Sequence, residues 1–563
     1  MSSVLYDIPL DTWFEVAELL DTQDLINLRI VNKHFHYIFS LNTIWKPLAT
    51  SRWFKIDDQP REIIKDTKEY FAYYTERNQI DVDISKSMEK IVHSTNSNEI
   101  FEIGWSLVNL RYKAIPKLVQ LKSFGANLSI KYYSHMILCS IRHGEVIKLL
   151  QELGSKYLTP IDGDAEDLLF KLSYIDPAFD RLLPFRQKII ENTIEAVQLH
   201  PKLDESTPSS LRILIIRNCL IQCLNFQKDT HPFTPYQQQY VEDSFILRVY
   251  AGEALGSKIV FESIVQKIAK YFDVESILTE SFMIVKDDTF HDGKAYILMT
   301  PKKAKVFSHR HIIRTLGLRQ SDLEKLLIPL TNKHILNEVI GTEIHFGLFE
   351  SEIAKNNSYD EIYNISHSSI RKSHIQFFNH LLHAILSNPK FSGDLLSSTI
   401  THREIAEQLF IENLTRELPF NCVHFQNGLL NEQFSSQQLK TSIIKNFYKF
   451  SHLNIYSEDS YEKIRTPLKF KIGQIVHHTR TGQIGVIIGH KNEYFTIFNQ
   501  YGETRVCDKD TLLQMQDITK LDLHILTTEL WIGVLFTHFD FEQDRFIPTQ
   551  HLLNLFPNLR IMN

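Results

Sequence analysis

Residues 8–45 read IPLDTWFEVAELLDTQDLINLRIVNKHFHYIFSLNTIW, and this stretch decides the fold at the amino-terminal side of the chain. Pro9 suits the first turn of a helix, because the N–H that it lacks would have no partner there. Asp21 can cap a second helix, with Asp24 near the positive end of the helix dipole. The stretch therefore predicts three short helices.

Apolar residues recur at helical spacing along this stretch. They are Trp13, Val16 and Leu20, followed by Leu28, Val31, Phe35 and Ile38 in one apolar stripe. About 45 residues make a poor core on their own. A stripe that stays partly uncovered is suited to a partner helix. The alternative is an amphipathic start to one larger domain.

The order of these motifs resembles an F-box. Ile8 and Pro9 open it, Leu-Leu-Asp follows at 19–21, Val-Asn-Lys at 31–33, and Trp45 ends it. Residues 10–13 depart from the family, which usually has a small acidic-aliphatic run there. An F-box is a docking device, and the resemblance implies binding to the Skp adaptor of a cullin-type (SCF) ubiquitin ligase. The expected partner-binding residues are Ile8, Pro9, Val16, Leu19, Leu20, Leu25, Leu28, Val31, Phe35 and Trp45.

Length and composition limit the number of domains and the class of protein that the rest of the chain can form. Its 563 residues suggest roughly three to four domains. With 43% hydrophobic and 23% charged residues, it has the composition of a soluble globular protein. The net charge of −6 gives no overall attraction to nucleic acid. We expect no transmembrane segment and no secretory signal. Five cysteines, few and odd in number, indicate structural thiols in a reducing cytoplasmic or nuclear setting.

Residues 56–240 read mostly as helices. Residues 141–154 resemble the helical half of an ankyrin repeat, but the spacing from Gly125 to Gly154 is 29 residues, shorter than the ankyrin period. We therefore expect a helical pair rather than an ankyrin array. The acidic cluster at 162–167 could suggest a calcium loop. Because apolar residues follow at once from Leu168, we expect an acidic helix start instead.

Residues 245–307 have the order helix, strand, turn, strand. A helix is expected to run on to Val274, with strands at 281–285 and 294–299 around a turn at 291–293. In outline, residues 241–450 resemble a transglutaminase-like domain of the SirB type, an α+β unit.

Departures from that family decide the expected activity. Thiol-based acyl transfer needs a cysteine, a histidine base and an orienting group, and no cysteine lies between Cys223 and Cys422. Ser281 and Thr300 stand where the resemblance places a histidine and an aspartate. Ser263 has no histidine in the matching position, so we expect an ordinary helix residue. The sequence predicts a pseudoenzyme, with no catalytic residue.

Residues 320–450 return to helical spacing, with apolar stripes at 377–386 and 405–414. Histidines near the first stripe lie at His374, His380 and His383. A metal site would need a further ligand that the sequence does not place, so we expect no metal and no cofactor. The His-Arg-His at 309–311 is expected to be a solvated turn or a helix start.

A polar linker at 451–467 precedes a run of short strands. The expected strands lie at 471–478, 483–489, 494–498 and 503–507. Their spacing and their turns predict a small antiparallel β-barrel. Residues 472–487 and the tail at 533–557 resemble the YccV family, also called the hemimethylated-DNA-binding domain.

DNA binding does not follow from that resemblance. Between Phe470 and Gln516 there are five Lys or Arg against four Asp or Glu, whereas phosphate-driven affinity needs several converging cations. The aromatics Tyr494, Phe495 and Phe498 are expected in the core or on a protein-binding face. We expect no nucleic-acid partner.

Together these patterns predict an α+β multidomain chain. It has an F-box (1–55), a helical region (56–240), the transglutaminase-like region (241–450) and a YccV-like barrel with its tail (468–563). The expected role is a non-catalytic substrate receptor that reaches a cullin and a RING protein through the Skp adaptor and holds an unidentified protein client. Two alternatives stay open. One is an F-box protein bound to Skp outside a ligase, regulating a partner such as a Rab-type trafficking GTPase. The other is an acyl-transfer or hydrolase enzyme.

Overall fold

The computed structural model describes residues 8–54, 69–224, 245–335 and 469–555, with short gaps at 125–126, 157, 162, 177, 205, 318, 320–325, 492–493, 501–503, 516–517 and 529–530. The chain divides into two compact units: Met1–Ile141 together with Phe447–Asn563, and Arg142–Asn446. The apolar stripes expected at 377–386 and 405–414, the three histidines near the first of them and the linker expected at 451–467 lie outside the described residues.

The amino-terminal side of the first unit is helical. Its elements are α1 (Leu10–Leu19), α2 (Thr22–Arg29), α3 (Lys33–Ile38), α4 (Asn42–Ala49), a π-helical turn (Thr50–Phe54), α5 (Tyr70–His93), α6 (Ser97–Asn109), α7 (Ile115–Phe124) and the first half of α8 (Leu128–Ser155), up to Ile141. Residues 8–54 thus form four short helices, whereas three were predicted. The stripe from Leu28 to Ile38 is divided at Asn32, whose side chain accepts a hydrogen bond from the Phe35 N–H at 2.8 Å and caps α3.

The segment that resembles an ankyrin helix belongs to a longer element. Residues 141–154 form the end of α8, which is a single helix of 28 residues. The helix α7 precedes α8 along the chain, so two consecutive helices lie where a helical pair was predicted. None of the helices in the described ranges combines the length and the hydrophobicity that a membrane crossing requires.

The second unit combines helices with a four-stranded antiparallel meander. Its elements are α9 (Ala165–Leu172), α10 (Phe179–Gln198), α11 (Ser209–Leu224), α12 (Ile246–Tyr250), α13 (Lys258–Lys270), β1 (Ser276–Leu278), β2 (Met283–Lys286), β3 (Lys294–Met299), β4 (Ala304–Phe307) and α14 (His309–Leu316). The sheet order is β1-β2-β3-β4. The helices α11 and α13 pack against β2 and β1, and α14 packs against β3. Strands β2 and β3 lie where strands were predicted, and α14 starts at the predicted His309.

Two arginine–carboxylate pairs connect elements of the second unit. Arg248 on α12 donates to both carboxylate oxygens of Asp176, at 2.6 and 2.8 Å. Arg186 on α10 donates to both oxygens of Glu166 on α9, at 2.8 and 2.7 Å. Such bidentate pairs fix orientation as well as distance, so they hold α9, α10 and α12 in one arrangement. Glu166 and Asp167 lie in the first turn of α9, as the acidic cluster predicted.

The carboxy-terminal side of the first unit contains a five-stranded antiparallel sheet. Its strands are β5 (Ile475–His478), β6 (Ile484–Lys491), β7 (Tyr494–Asn499), β8 (Thr504–Asp508) and β9 (Leu512–Gln514). Elements beyond it are α15 (Lys520–Thr528), α16 (Ile532–Leu535), the hairpin of β10 (Phe536–Asp540) and β11 (Arg545–Pro548), and α17 (Gln550–Leu555).

The prediction of a closed barrel is wrong for the described residues. The strand order is β8-β7-β6-β5-β9, so β8 and β9 are edges that do not pair with each other. The connection between them is the three-residue turn Lys509–Thr511. A chain this short spans at most about 14 Å, whereas the edges of a flat five-stranded sheet lie about 19 Å apart. The sheet is therefore curled but open, because β9 bonds to β5 and not to β8.

Candidate docking site

Side-chain caps set the local geometry of the amino-terminal helices. The carboxylate of Asp21 accepts a hydrogen bond from the Asp24 N–H at 2.8 Å, which confirms the predicted cap of α2. Pro9 is the residue just before α1, and its carbonyl accepts the N–H of Thr12 at 3.1 Å. Because α2 and α3 are separated only by residues 30–32, their connection is short and well defined.

Three of the predicted partner-binding residues lie in the core. Leu25, Phe35 and Trp45 are all buried. The Trp45 indole N–H donates to the Phe39 carbonyl at 2.6 Å, and the Trp13 ring packs edge-on against Phe35 at 5.1 Å. These residues shape the helices from inside. Periodicity predicted their apolar character but not the side on which they are covered.

Four further predicted residues are half-buried. Ile8, Val16, Leu20 and Leu28 pack against the core formed by the amino-terminal helices. They connect the interior to the surface, so their substitution would change both the fold and any contact made there.

The remaining three predicted residues, Pro9, Leu19 and Val31, are exposed, and Leu19 and Val31 have 88% and 62% of their surface in water. Sequence reasoning missed Leu10, Ile30 and Tyr37, which are 42%, 81% and 61% exposed. The missed signal is the consecutive pair at 30 and 31 directly before the Asn32 cap, where helical spacing cannot bury both side chains. We call Leu10, Leu19, Ile30, Val31 and Tyr37 the exposed apolar surface.

Aromatic packing joins this part of the chain to α5. The Trp45 ring lies 4.9 Å from Phe71 and 5.1 Å from Tyr74. Arg29, at the end of α2, places its guanidinium over the Phe71 ring at 3.1 Å. The exposed apolar surface therefore rests on helices that are held against a 24-residue helix.

A polar network strengthens the same junction. Arg52 donates to Asp81 at 2.8 Å and to the Tyr74 hydroxyl at 2.8 Å, and the Trp53 indole N–H reaches Asp81 at 3.2 Å. Asp81 and Trp53 are buried, so the bond between them is shielded from water, while Arg52 reaches Asp81 from the exposed side. The junction fixes how the short helices are presented.

The second region considered for function, around α13, has a different character. Ser263 is fully buried, and its hydroxyl donates to the Ile259 carbonyl at 2.6 Å. The neighbouring Glu262 is also fully buried, and burial raises its pKa to about 8, although the Lys258 ammonium at 3.2 Å acts in the opposite direction. Burial dominates because the carboxylate has lost its water. Within the described ranges, no three His, Cys, Asp or Glu side chains are grouped so as to hold a metal ion.

The predicted aromatic residues of the carboxy-terminal sheet, like the predicted amino-terminal residues, include both buried and exposed side chains. Phe495 and Phe498 are buried, whereas Tyr494 is 53% exposed. Gly473, with φ of +89°, lets the chain approach the Phe546 carbonyl, which a Cβ would meet at 2.0 Å. The sheet and the β10–β11 hairpin are therefore packed backbone to backbone at this point.

Comparisons with known proteins identify the amino-terminal stretch. Residues 5–47 match the F-box domain family. The chain is also similar to mitochondrial distribution and morphology protein 30 of Saccharomyces cerevisiae, with 23% identity over 367 residues, which is 59% of this chain and 61% of the yeast protein. The chain thus spans about three fifths of that relative. No solved structure matches. The chain carries an F-box domain, and the exposed apolar surface lies inside it.

Proposed function

We propose that this protein is a non-catalytic F-box substrate receptor, which docks the Skp adaptor of a cullin-type (SCF) ubiquitin ligase and recruits a protein client. The exposed apolar surface, within the stretch that matches the F-box domain, carries the proposal. Single exposed apolar residues are ordinary. Five between residues 10 and 37, on α1, on α3 and in the connection between α2 and α3, favour association with a partner.

The support beneath this surface fits a docking role. Burial of one large apolar side chain contributes roughly 1.5–3 kcal/mol, but ordering mobile segments on binding costs part of that gain. Here the aromatic core and the Arg52–Asp81 junction already hold the short helices. A partner would therefore meet a surface that needs little rearrangement.

Replacement of Leu19 and Val31 by aspartate tests the docking role directly. We expect the double variant to lose at least about 100-fold in affinity for the Skp adaptor, since each buried carboxylate would cost more than a factor of ten. Affinity is measured by titration of purified adaptor. Leu28 is unsuitable for this test, because it packs against the F-box core.

The matched control is Leu199→Asp, at a side chain that is 76% exposed and lies at the end of α10. It should bind the adaptor as the wild type does. Tryptophan fluorescence checks that the double variant is folded, since Trp45 and Trp53 report on the F-box core. A folded double variant with unchanged adaptor affinity would refute the proposal.

Cullin engagement separates the two docking roles. A cullin that co-purifies with the adaptor and this protein supports the ligase receptor. An adaptor complex that never carries a cullin supports the alternative, in which the protein regulates a partner such as a Rab-type trafficking GTPase. We propose no catalysis and no cofactor in either role.

Client recruitment is assigned in this proposal to residues 241–450 and 468–563, which resemble the transglutaminase-like and YccV families. The buried, hydrogen-bonded state of Ser263 is consistent with a binding rather than a catalytic role. The yeast relative is named for mitochondrial distribution and morphology, so mitochondrial proteins are the first clients to test. Proximity labelling after proteasome inhibition, compared with the Leu19 and Val31 double variant, would identify them.

A further inference from the structure

One segment of the second unit has a charge opposite to that of the chain. Between Asp292 and Asp322 there are seven Lys or Arg and no Asp or Glu, although the whole chain has 61 basic and 67 acidic residues. All seven basic side chains are exposed. They cover the β3–β4 hairpin and α14, so they are concentrated at one edge of the sheet.

Four of these residues define what we call the basic patch: Lys303, Lys305, Arg310 and Arg314. No described residue forms an ion pair with any of them. Arg310 and Arg314 are four residues apart on α14 and therefore share one side of the helix. The patch is a set of cations whose charge the described parts of the chain leave uncompensated.

The structure fixes α14 beside the cationic end of the sheet. Tyr296 and Phe307 lie directly opposite each other on β3 and β4. The Tyr296 ring lies 6.0 Å from His309 and the Phe307 ring 5.4 Å from His311, while Ile312 is buried in the same small core. Because Lys305 is two residues from Phe307, its side chain leaves the same face of the sheet. The lysines of β4 and its turn and the arginines of α14 are thus carried by neighbouring elements that pack against each other.

The hairpin that carries Lys303 is held in place from below. Arg217 on α11 donates to the Thr300 carbonyl at 3.1 Å and to the Pro301 carbonyl at 2.9 Å. Arg217 is itself buried. The turn is therefore positioned before any ligand arrives, which reduces the ordering cost of binding.

The outer edge of β4 adds backbone groups to this surface. In the described sheet β4 is an edge strand, whereas β1 at the opposite edge has further backbone contacts through residues 329 and 330. The Thr300 N–H donates to the Lys303 carbonyl, so antiparallel alternation directs the Ala304 and Val306 amides outward. An exposed edge of this kind can accept an added strand.

We propose that β4 and the basic patch form a docking site for an extended acidic segment of a partner protein, which adds to the sheet beside β4. Main-chain bonds to β4 would supply affinity, and the four cations would select acidic side chains. Edge lysines also discourage pairing with uncharged strands. The acidic segment would belong to the client, so this inference rests on the proposed receptor role.

An extended peptide is favoured over a membrane by the same observations. A bilayer surface makes no use of outward backbone amides, and membrane-binding faces usually present several large apolar side chains. Here Leu298, 41% exposed, is the large apolar side chain that β3 exposes beside Lys305. The site offers outward backbone amides and cations but few large apolar side chains, and this combination favours a peptide over a membrane.

The test uses the full chain in complex with the Skp adaptor and a fluorescent peptide of about ten residues that alternates Glu and Val. Alternation places every Glu on one face of the added strand. We expect fluorescence polarisation to show binding by the wild type. Reversal of all four patch residues to glutamate should weaken it at least about 10-fold.

A matched control reverses four other exposed lysines to glutamate: Lys86, Lys90, Lys188 and Lys202. It carries the same change of net charge and should bind the peptide as the wild type does. A second variant, Val306→Pro, removes one outward amide while leaving the patch charges in place, and proline is tolerated at such an edge. It should also weaken binding, with an unchanged circular dichroism spectrum as the check of folding.

Several outcomes would overturn this inference. They are a wild type that does not bind the peptide, a patch variant that binds it equally well, and binding of phosphatidylserine vesicles without binding of the peptide. If a folded Val306→Pro variant binds the peptide with unchanged affinity, the peptide does not add to the sheet as a strand beside β4. In each case, intact adaptor binding would leave the receptor role standing. Loss of adaptor binding in the wild type would instead count against the receptor role alone.

Discussion

His551 on α17 illustrates how one side chain couples the two ends of the first unit. It is partly buried, and it forms a hydrogen bond with the backbone of Ser94, at the end of α5. Burial lowers its pKa to about 4, although that hydrogen bond acts in the opposite direction. The folded protein therefore keeps this imidazole neutral at a pH where the unfolded chain would protonate it.

A loss of stability at mildly acidic pH follows from His551. Its folded pKa lies below the ordinary value of 6.5, so its contribution is complete above that pH and is lost as the pH falls toward about 4. Between about pH 7.5 and about pH 5.5 this amounts to about 1 kcal/mol. Urea unfolding followed by tryptophan fluorescence measures it, because all five tryptophans lie in the first unit.

The comparison that isolates this residue is His551→Gln. Glutamine does not titrate, so the variant should lose about 1 kcal/mol less than the wild type over the same pH interval. An equal loss in both proteins would show that His551 does not carry the effect.

Residue by residue, the sequence predicted which side chains are apolar but not where each one points. Phe35 and Trp45 were expected at the partner surface and are buried, whereas Ile30 was not expected there and is 81% exposed. Helical spacing defines a stripe without saying which of its sides another helix covers. That choice is made by Asn32, which divides the stripe, and by contacts with α5 about 30 residues away.

At the scale of elements, α16 lies close to α8. A Cβ on Gly533 would lie 2.2 Å from the Leu128 carbonyl oxygen and 2.8 Å from the Tyr132 Cβ. The Tyr132 and Trp531 rings are 5.6 Å apart beside it. Only glycine allows α16 to pack at this distance.

Gly533→Ala should therefore destabilise the first unit. We expect a loss of roughly 2–3 kcal/mol, at the upper end of the usual cost of overpacking, because backbone atoms must move to admit the methyl group. The midpoint of urea unfolding, followed by fluorescence of the neighbouring Trp531, measures the loss.

Gly482→Ala is the matched control for that substitution. Gly482 has φ of +69°, but its nearest neighbour to an added Cβ is the His477 ring at 4.0 Å. It should show only the conformational cost of alanine in the left-handed region, about 1 kcal/mol. Equal losses in the two variants would contradict the close approach of α16 to α8.

Strand prediction succeeded for six of the eleven described strands and failed for the other five. The strands β2, β3 and β5–β8 lie within or next to the predicted segments. Five strands were not predicted: β1, β4 and β9, of three, four and three residues, and the two strands of the β10–β11 hairpin. The first three carry little pattern of their own and become strands because a longer neighbour supplies the hydrogen bonds.

At the scale of the whole molecule, the first unit is made from two separated parts of the chain. The Ser129 hydroxyl donates to the Phe536 carbonyl across 407 residues of sequence. No local pattern predicts a contact of this kind, because periodicity reports only on neighbours within a few turns.

Removal of residues 469–563 should open α8 to solvent. Leu128 and Tyr132 would lose Trp531 and Gly533 as neighbours, so the amides of residues 128–141 should exchange with deuterium faster. Peptides from α13, in the second unit, are the internal control and should exchange as in the full chain. Unchanged protection of α8 would show that the carboxy-terminal part does not support it.

The divided first unit has a consequence for how the protein is made. The ribosome releases Met1–Ile141 early, but their partner Phe447–Asn563 emerges only after about 300 intervening residues. At roughly 5–20 residues per second, this delay is about 15–60 s. During that time the nascent chain exposes the surface of α8 that Trp531 later covers, and transiently exposed apolar surface of this kind is prone to aggregation. The unit that is begun first is therefore completed last.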